Sequence, residues 1–303
     1  MAEQLCDIGR AITLCYETFG REGDPPMLLI MGLGGQMVLW PDDFCGQLAD
    51  RGFYVVRFDN RDIGRSTRIH GKPPSAGQLL RRKISPVLYD LGDMADDADG
   101  LLSKLGLAPA HVVGVSMGGM IAQTLAAQHP DKVRSLASIM SMTGSRWAGQ
   151  PAFKIYPYLL RAAPTEREAY IEHMSRMFAK IGSTGLPQDS ALIRDMMARS
   201  YDRGHDPDGS GRQLGAIVAS ADRTAECRTI RAPTLVIHGS EDPLVSPSGG
   251  KATARAIPGA QLMIVQGMGH DLPEAAWAQI IPAIADHARA ADHASSGAPL
   301  SAS

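Results

Sequence analysis

Residues 111–122 read His-Val-Val-Gly-Val-Ser-Met-Gly-Gly-Met-Ile-Ala, and the fold turns on how they are read. The apolar pair Val112 and Val113 has the character of a buried strand, and residues 120–128 are helix-forming. Gly114-Val115-Ser116-Met117-Gly118 must therefore make a sharp strand-to-helix turn. A serine on such a turn has strained backbone dihedrals and little space around it. Very small residues are required two positions before it and two after, and Gly114 and Gly118 meet that requirement. The geometry lifts the Ser116 hydroxyl above the sheet edge. It also leaves the Met117 N–H at a helix N-terminus, where unpaired donors and the dipole favour a negative oxygen. Acyl transfer needs this pairing of nucleophile and anion site. A glycine-rich turn that only packs a helix on a sheet has the same pattern, so the partners of Ser116 decide its meaning.

Upstream, residues 27–31 form an apolar run of buried-strand type that ends in Gly32-Leu33-Gly34-Gly35. Small residues at a strand end let backbone approach a ligand closely, and the Leu33 N–H is expected to be the second oxyanion donor. Residues 54–58, 133–140, 234–238 and 261–265 read as further strands, and residues 5–18 as two short edge strands in a hairpin around Gly9. Helices are expected between Trp40-Pro41-Asp42-Asp43 and Gly52, over residues 91–105 and over residues 277–291. Strands alternating with helices from residue 27 to residue 140 imply an α/β chain with a doubly wound, parallel sheet. Asp93, Asp96, Asp97 and Asp99 are assigned to the outer side of their helix, where they suit the dipole rather than a metal. The charge-dense loop 59–66 offers groups that could hold substrate, but reads rather as a loop-ordering ion-pair network, and Arg81-Arg82-Lys83 reads as a solvated charge run.

The alternation stops after residue 140. Helical stretches at 153–162, 166–181, 190–201 and 210–221 follow, separated by glycines and prolines. The reading is a helical lid, 141–226, inserted after the sixth strand of a core made of 1–140 and 227–294, with a disordered tail at 295–303. Met174, Met177, Met196 and Met197 are candidates either for an adaptable apolar pocket or for packing within the lid.

Composition narrows the partners. The chain has 303 residues, 44% of them hydrophobic, and a formal net charge of -2 with interleaved signs. A sizeable core is affordable, while neither a nucleic-acid partner nor a membrane surface is indicated, so a small-molecule substrate is expected. Cys6, Cys15, Cys45 and Cys227 lack the spacings of a metal or redox site and are expected as reduced thiols. No signal peptide or membrane-spanning run is recognised; the expectation is a cytoplasmic protein, with homodimer formation left open and neither metal nor cofactor called for.

A serine at neutral pH needs a base within reach and a carboxylate to orient that base. Open α/β sheets gather such groups outside the carboxyl ends of their strands. Of nine histidines, His238 and His270 stand at or just past such an end. His238 belongs to the strand and is expected to pack in the sheet. His270 follows the loose Gly267-Met268-Gly269 loop and is the expected base. Glu241 and Asp242 compete for the acid; Asp242 is favoured at the tip of its loop before Pro243, 28 positions before His270.

Taken together, these stretches resemble the α/β-hydrolase superfamily, and in particular bacterial serine esterases of the aclacinomycin methylesterase type. The likeness runs from the strand at Met27 to the helix at Trp277. It is carried by Met31-Gly32-Leu33-Gly34, Asp59-Asn60-Arg61-Asp62-Ile63-Gly64-Arg65-Ser66, residues 111–118, Pro233-Thr234-Leu235-Val236-Ile237 with Asp242-Pro243, and Gly267-Met268-Gly269-His270. Carried over, the resemblance implies Ser116 as nucleophile, Asp242 and His270 completing a triad, and the Leu33 and Met117 N–H groups as oxyanion hole. Met31 departs from the His-Gly that many members carry in this loop. The expected activity is hydrolysis of small or medium apolar carboxylic esters through an acyl-enzyme, in a pocket drawn from Met31, Leu33, Met117, Met142, Trp147, Leu244 and Met268. Lactone hydrolysis, carbon-carbon bond hydrolysis and perhydrolysis use the same triad, and a low-turnover ligand sensor keeps the same fold.

Overall fold

Strand β3 (Pro26–Ile30) carries apolar side chains throughout, so a sheet that contains it must be covered on both faces. The computed structural model of the chain, which describes residues 2–155 and 163–296, shows how this is done. Strands β1 (Gln4–Gly9), β2 (Ile12–Phe19), β3, β4 (Tyr54–Phe58), β5 (Ala110–Val115), β6 (Val133–Ile139), β7 (Thr234–Gly239) and β8 (Gln261–Val265) form one sheet in the order β1-β2-β4-β3-β5-β6-β7-β8. The β1–β2 and β2–β4 pairs are antiparallel; the pairs from β4 to β8 are all parallel. Of the expected pair of edge strands only β1 is an edge. β2 lies inside the sheet because Leu14 and Cys15 are buried and its far side pairs with β4.

Alternation sorts the side chains between two layers. Met27 and Leu29 of β3, with Val113, Ile139 and Ile237, face α1 (Asp42–Ala49) and the C-terminal helix (Glu274–Ser296), meeting Phe44, Trp277, Ile280 and Ile284. Leu28 and Ile30, with Val56, Val112 and Leu136, face α3 (Leu91–Lys104) and α4 (Met117–Gln128), meeting Leu101, Ile121 and Leu125. The pairings Gly114 with Ile30, Val115 with Ile139 and Gly239 with Val265 align the carboxyl ends of β3, β5, β7 and β8 on one edge.

One local reading changes. Asp97 points inward, at 2% exposure, because Arg61 lies over α3 and grips both carboxylate oxygens at 2.6 Å. The region around Arg81-Arg82-Lys83 contains a short helix, α2 (Ala76–Arg81), started by a capping box between Ser75 and Gln78.

Between β6 and β7 lie α5 (Arg167–Ile181), α6 (Ser190–Arg203), α7 (Pro207–Ala219) and the one-turn α8 (Thr224–Cys227). The expected helix at 153–162 is represented by a 3₁₀ turn at Phe153–Ile155, and residues 156–162 lie outside the described residues. After α9 (Pro247–Ala256) and β8, the last helix, α10 (Glu274–Ser296), runs into the first two positions of the expected tail; residues 297–303 also lie outside the described residues.

The charged loop 59–66 is ordered by hydrogen bonds of its own, such as Arg65 N–H to Asp59 Oδ2 at 3.0 Å, and by partners from the helical insertion, from α3 and from Tyr89. Arg203 Nη2 donates to Asp59 Oδ2 at 2.8 Å, and Arg212 Nη2 to Asp62 Oδ1 at 2.8 Å, with Tyr89 Oη donating to Asp62 Oδ2 at 2.6 Å. Both carboxylates are fully buried. Removing one partner of such a pair leaves a buried charge alone, so Arg203→Met is expected to lower the unfolding free energy by about 3–5 kcal/mol in urea denaturation. Arg176→Met, at an exposed pair with Glu172, is expected to change it little.

Candidate active site

The turn after β5 is held in a conformation few residues adopt. Ser116 has φ 55° and ψ -118°, in the positive-φ half of the map that L-residues avoid. A Cβ at Gly114 would lie 2.2 Å from the Gly118 carbonyl oxygen, and one at Gly118 would lie 2.1 Å from that of Ile30. Both positions exclude any side chain. Ser116 is tied by its main chain: its N–H donates to the Ile139 carbonyl at 2.9 Å, and its carbonyl accepts the Met120 N–H at 3.1 Å and the Ser141 hydroxyl at 2.8 Å. Because α4 begins at Met117, the N–H of Met117 has no acceptor within the helix.

The loops after β7 and β8 bring two further side chains to Ser116. His270 Nε2 lies 3.0 Å from Ser116 Oγ, and His270 Nδ1 lies 2.7 Å from Asp242 Oδ2. Asp242 Oδ1 accepts the Leu244 and Val245 N–H groups at 2.9 and 2.8 Å, so neither oxygen of the carboxylate is idle. With Nδ1–H donating to Asp242, the Nε2 lone pair of His270 faces the serine hydroxyl. Burial pushes the Asp242 carboxyl up, but the His270 charge, the His238 imidazole at 3.5 Å and the hydrogen bond from His270 outweigh it and bring the group down to about 2. Glu241 turns away from Ser116, to Thr184. His238 packs fully buried within the sheet, its Nε2–H donating to the Val245 carbonyl at 2.8 Å, and so braces the loop that carries Asp242.

The helical insertion holds His270 in place. The His270 N–H donates to the Ile181 carbonyl at 2.7 Å, the Gly269 N–H to Ser183 Oγ at 3.0 Å, and the Gly185 N–H to the Gly267 carbonyl at 3.1 Å. Ser183 Oγ in turn donates to Asp271 at 2.6 Å. The two segments stack so closely that a Cβ at Gly269 would meet the Gly182 carbonyl carbon at 2.3 Å. Ser183 and Gly182 carry no sequence signal for this role, since their partners lie more than eighty positions away.

Ser116 and His270 open into a cavity of about 1320 Å³. Met31, Leu33, Met117, Met142 and Leu244 line it as expected, together with Met174, Met177 and Met196. Met197 instead packs inside the insertion against Tyr170 and Ile171. Two expected pocket residues stand apart from the cavity. Met268 is fully buried against the sheet and the C-terminal helix, and Trp147 lies 93% exposed on a loop whose Met142, Gly149, Gln150 and Pro151 line the cavity while Trp147 itself does not. Gly32 leaves the room a substrate would need: a Cβ there would sit 3.1 Å from that of Ser116. Among the described residues no group of three or more His, Cys, Asp and Glu side chains is placed to hold a metal, and no helix is long and apolar enough to cross a membrane.

A carboxyl lowered on folding contributes stability that is complete above its unfolded value and disappears as pH falls through its folded one. The stability difference between the wild type and Asp242→Asn is therefore expected to be constant above about pH 5 and to shrink as pH falls towards 2. Urea unfolding across that range measures it; a difference that grows on acidification contradicts the assignment of the low value to Asp242.

Residues 25–274 match the family model described as the alpha/beta hydrolase fold. The chain is 29% identical over 301 residues to rhodomycin D methylesterase of Streptomyces sp. (strain C5), covering 92% of this chain and 96% of that protein. It is 28% identical over 302 residues to the rhodomycin D methylesterase of Streptomyces peucetius, with the same coverage of 92% and 96%. Among solved structures, the enol-lactonase of Burkholderia xenovorans superposes with a TM-score of 0.69 at 24% identity, covering 96% of this chain and 100% of that one, which speaks for the fold alone. With a family match over most of its length and the mostly parallel eight-stranded sheet described above, the chain belongs to the alpha/beta hydrolase fold family.

Proposed function

We propose that the protein is a carboxylic ester hydrolase that works through an acyl-enzyme on Ser116. The observation that carries this reading is the unbroken chain Ser116 Oγ, His270, Asp242, linked at 3.0 and 2.7 Å and opening into an apolar cavity. His270 takes the Ser116 proton as the hydroxyl oxygen attacks the ester carbonyl, and Asp242 keeps the imidazole in the tautomer that can accept it. The Leu33 and Met117 N–H groups receive the oxyanion, a reading supported by the helix start at Met117 and by both residues lining the cavity beside Ser116. His270 then gives its proton to the departing alcohol and activates the water that releases the acid.

Cavity size bears on the substrate. At about 1320 Å³ it exceeds the roughly 300–1,000 Å³ usual for ligand pockets, leaving room for substrates larger than small esters. Both Streptomyces relatives are named as methylesterases. A methyl ester asks for little space on the alcohol side and leaves the cavity to the acyl part. The flexible, polarizable methionines on its wall suit an apolar surface of irregular shape. The helical insertion, 141–226, is the lid of this cavity, with α5, α6 and α7 supplying its far wall. All four cysteines are free thiols and three are buried, which favours a reducing compartment and supports a cytoplasmic location.

Ser116→Ala and His270→Ala are each expected to lower turnover of an aryl methyl ester or aryl acetate by about a millionfold while leaving the unfolding transition in place. Steady-state kinetics and urea unfolding on the same preparations check this. Hydrolysis by Ser116→Ala at a rate near wild type would overturn the acyl-enzyme reading.

A further inference from the structure

Gln213 lies on α7 in the helical insertion, wholly buried, yet both ends of its amide are committed to the core. Its Oε1 accepts the Gly34 N–H at 2.9 Å, and its Nε2 donates to the Arg61 carbonyl at 2.9 Å. Gly34 is the third residue of a tight turn in which the Gly35 N–H donates to the Gly32 carbonyl at 3.1 Å. Its φ of 69° belongs to a type II turn, whose central peptide is flipped relative to a type I turn. That central peptide joins Leu33 to Gly34, and its N–H is the group Gln213 holds. The adjacent peptide carries the Leu33 N–H on one side and, on the other, the Gly32 carbonyl that closes the turn. The loop is fixed from its opposite end by Asn60, whose Nδ2 donates to the Met31 carbonyl at 2.9 Å.

We infer that Gln213 is a positioning residue for the oxyanion hole: by holding the Gly34 N–H it keeps the turn in the form that aims the Leu33 N–H at the substrate oxygen. The inference rests on the proposed role of Leu33. It makes α7 part of the catalytic apparatus as well as a wall of the cavity, since Leu214, Ile217 and Val218 of the same helix line that cavity. Substrate and oxyanion donor are thus held by successive turns of one helix. A displacement of about 1 Å in a catalytic group is enough to cost of order a hundredfold in rate.

Gln213→Met keeps the length and helix propensity of the side chain and removes both hydrogen bonds. The test compares inhibition by an aryl trifluoromethyl ketone, which adds to Ser116 and places an oxyanion in the hole, with that by the matching methyl ketone, which fills the cavity without adding. In Gln213→Met, kcat on an aryl ester and affinity for the trifluoromethyl ketone are expected to fall together by about ten- to hundredfold, with KM and methyl ketone affinity little changed. Gln213→Glu retains an acceptor for the Gly34 N–H and is expected to recover most of the loss. Equal weakening of both ketones, or of neither, overturns the inference, as does a Gln213→Glu variant that binds the trifluoromethyl ketone no better than the methyl ketone. The last comparison also decides the matter if Gln213→Met does not fold. Ser116→Ala in the same assay separates the two levels: undiminished turnover there defeats the acyl-enzyme reading, whatever Gln213 does.

Discussion

A single strained residue organises this molecule. With φ 55° and ψ -118°, Ser116 occupies backbone space that costs about 1–3 kcal/mol for a residue with a side chain. The surroundings hold it there: β6 through the Ile139 carbonyl, Ser141 through its hydroxyl, and the first turn of α4 through the Met120 N–H. Gly114 and Gly118 let the three backbones close to distances no Cβ would permit. The strain does three things at once. It ends β5, starts α4 with a free N–H, and leaves the hydroxyl at the sheet edge towards which the neighbouring strands also run.

The sheet then supplies the partners by topology. Parallel strands in register deliver their carboxyl-end loops to the same side, so residues more than a hundred positions apart in the chain meet within hydrogen-bonding distance. The helical insertion completes the arrangement. It binds the backbone of His270 through Ile181, anchors the loop after β4 through Arg203 and Arg212, and closes on its own entrance where the Arg223 N–H donates to the Thr143 carbonyl at 2.8 Å. Arg223 also reaches the Met120 and Met142 carbonyls at 3.1 and 2.9 Å, so the exit of the insertion is fastened to the helix that follows Ser116. An insertion held at so many buried polar points forms a wall beside Ser116 and His270.

The parts of this arrangement that depend on local pattern could be read from the sequence. Apolar runs gave the strands and Gly-x-Ser-x-Gly gave the turn, while the loose loop before His270 and the loop-tip position of Asp242 before Pro243 favoured them over the strand residue His238 and the adjacent Glu241. Long-range pairing could not be read in the same way. Asp97 looked like a surface acid because nothing near it announces Arg61, thirty-six positions away. Met268 and Trp147 had the right chemistry for a pocket, but turn geometry sends one into the core and the other to the surface. Gln213 sits inside an ordinary amphipathic helix, and its partner Gly34 is 179 positions distant. Its burial and its hydrogen bonds belong to tertiary structure, which no local periodicity encodes.

The most direct measurement is a crystal structure of the protein after reaction with an aryl phosphonate ester, whose tetrahedral phosphorus imitates the acylation transition state. The proposed mechanism predicts phosphorus bonded to Ser116 Oγ, with its phosphoryl oxygen about 2.7–3.1 Å from both the Leu33 and Met117 nitrogens. It also predicts His270 Nε2 on the side from which the leaving group departed. Phosphorus on another side chain, or a phosphoryl oxygen turned away from those two N–H groups, would contradict it.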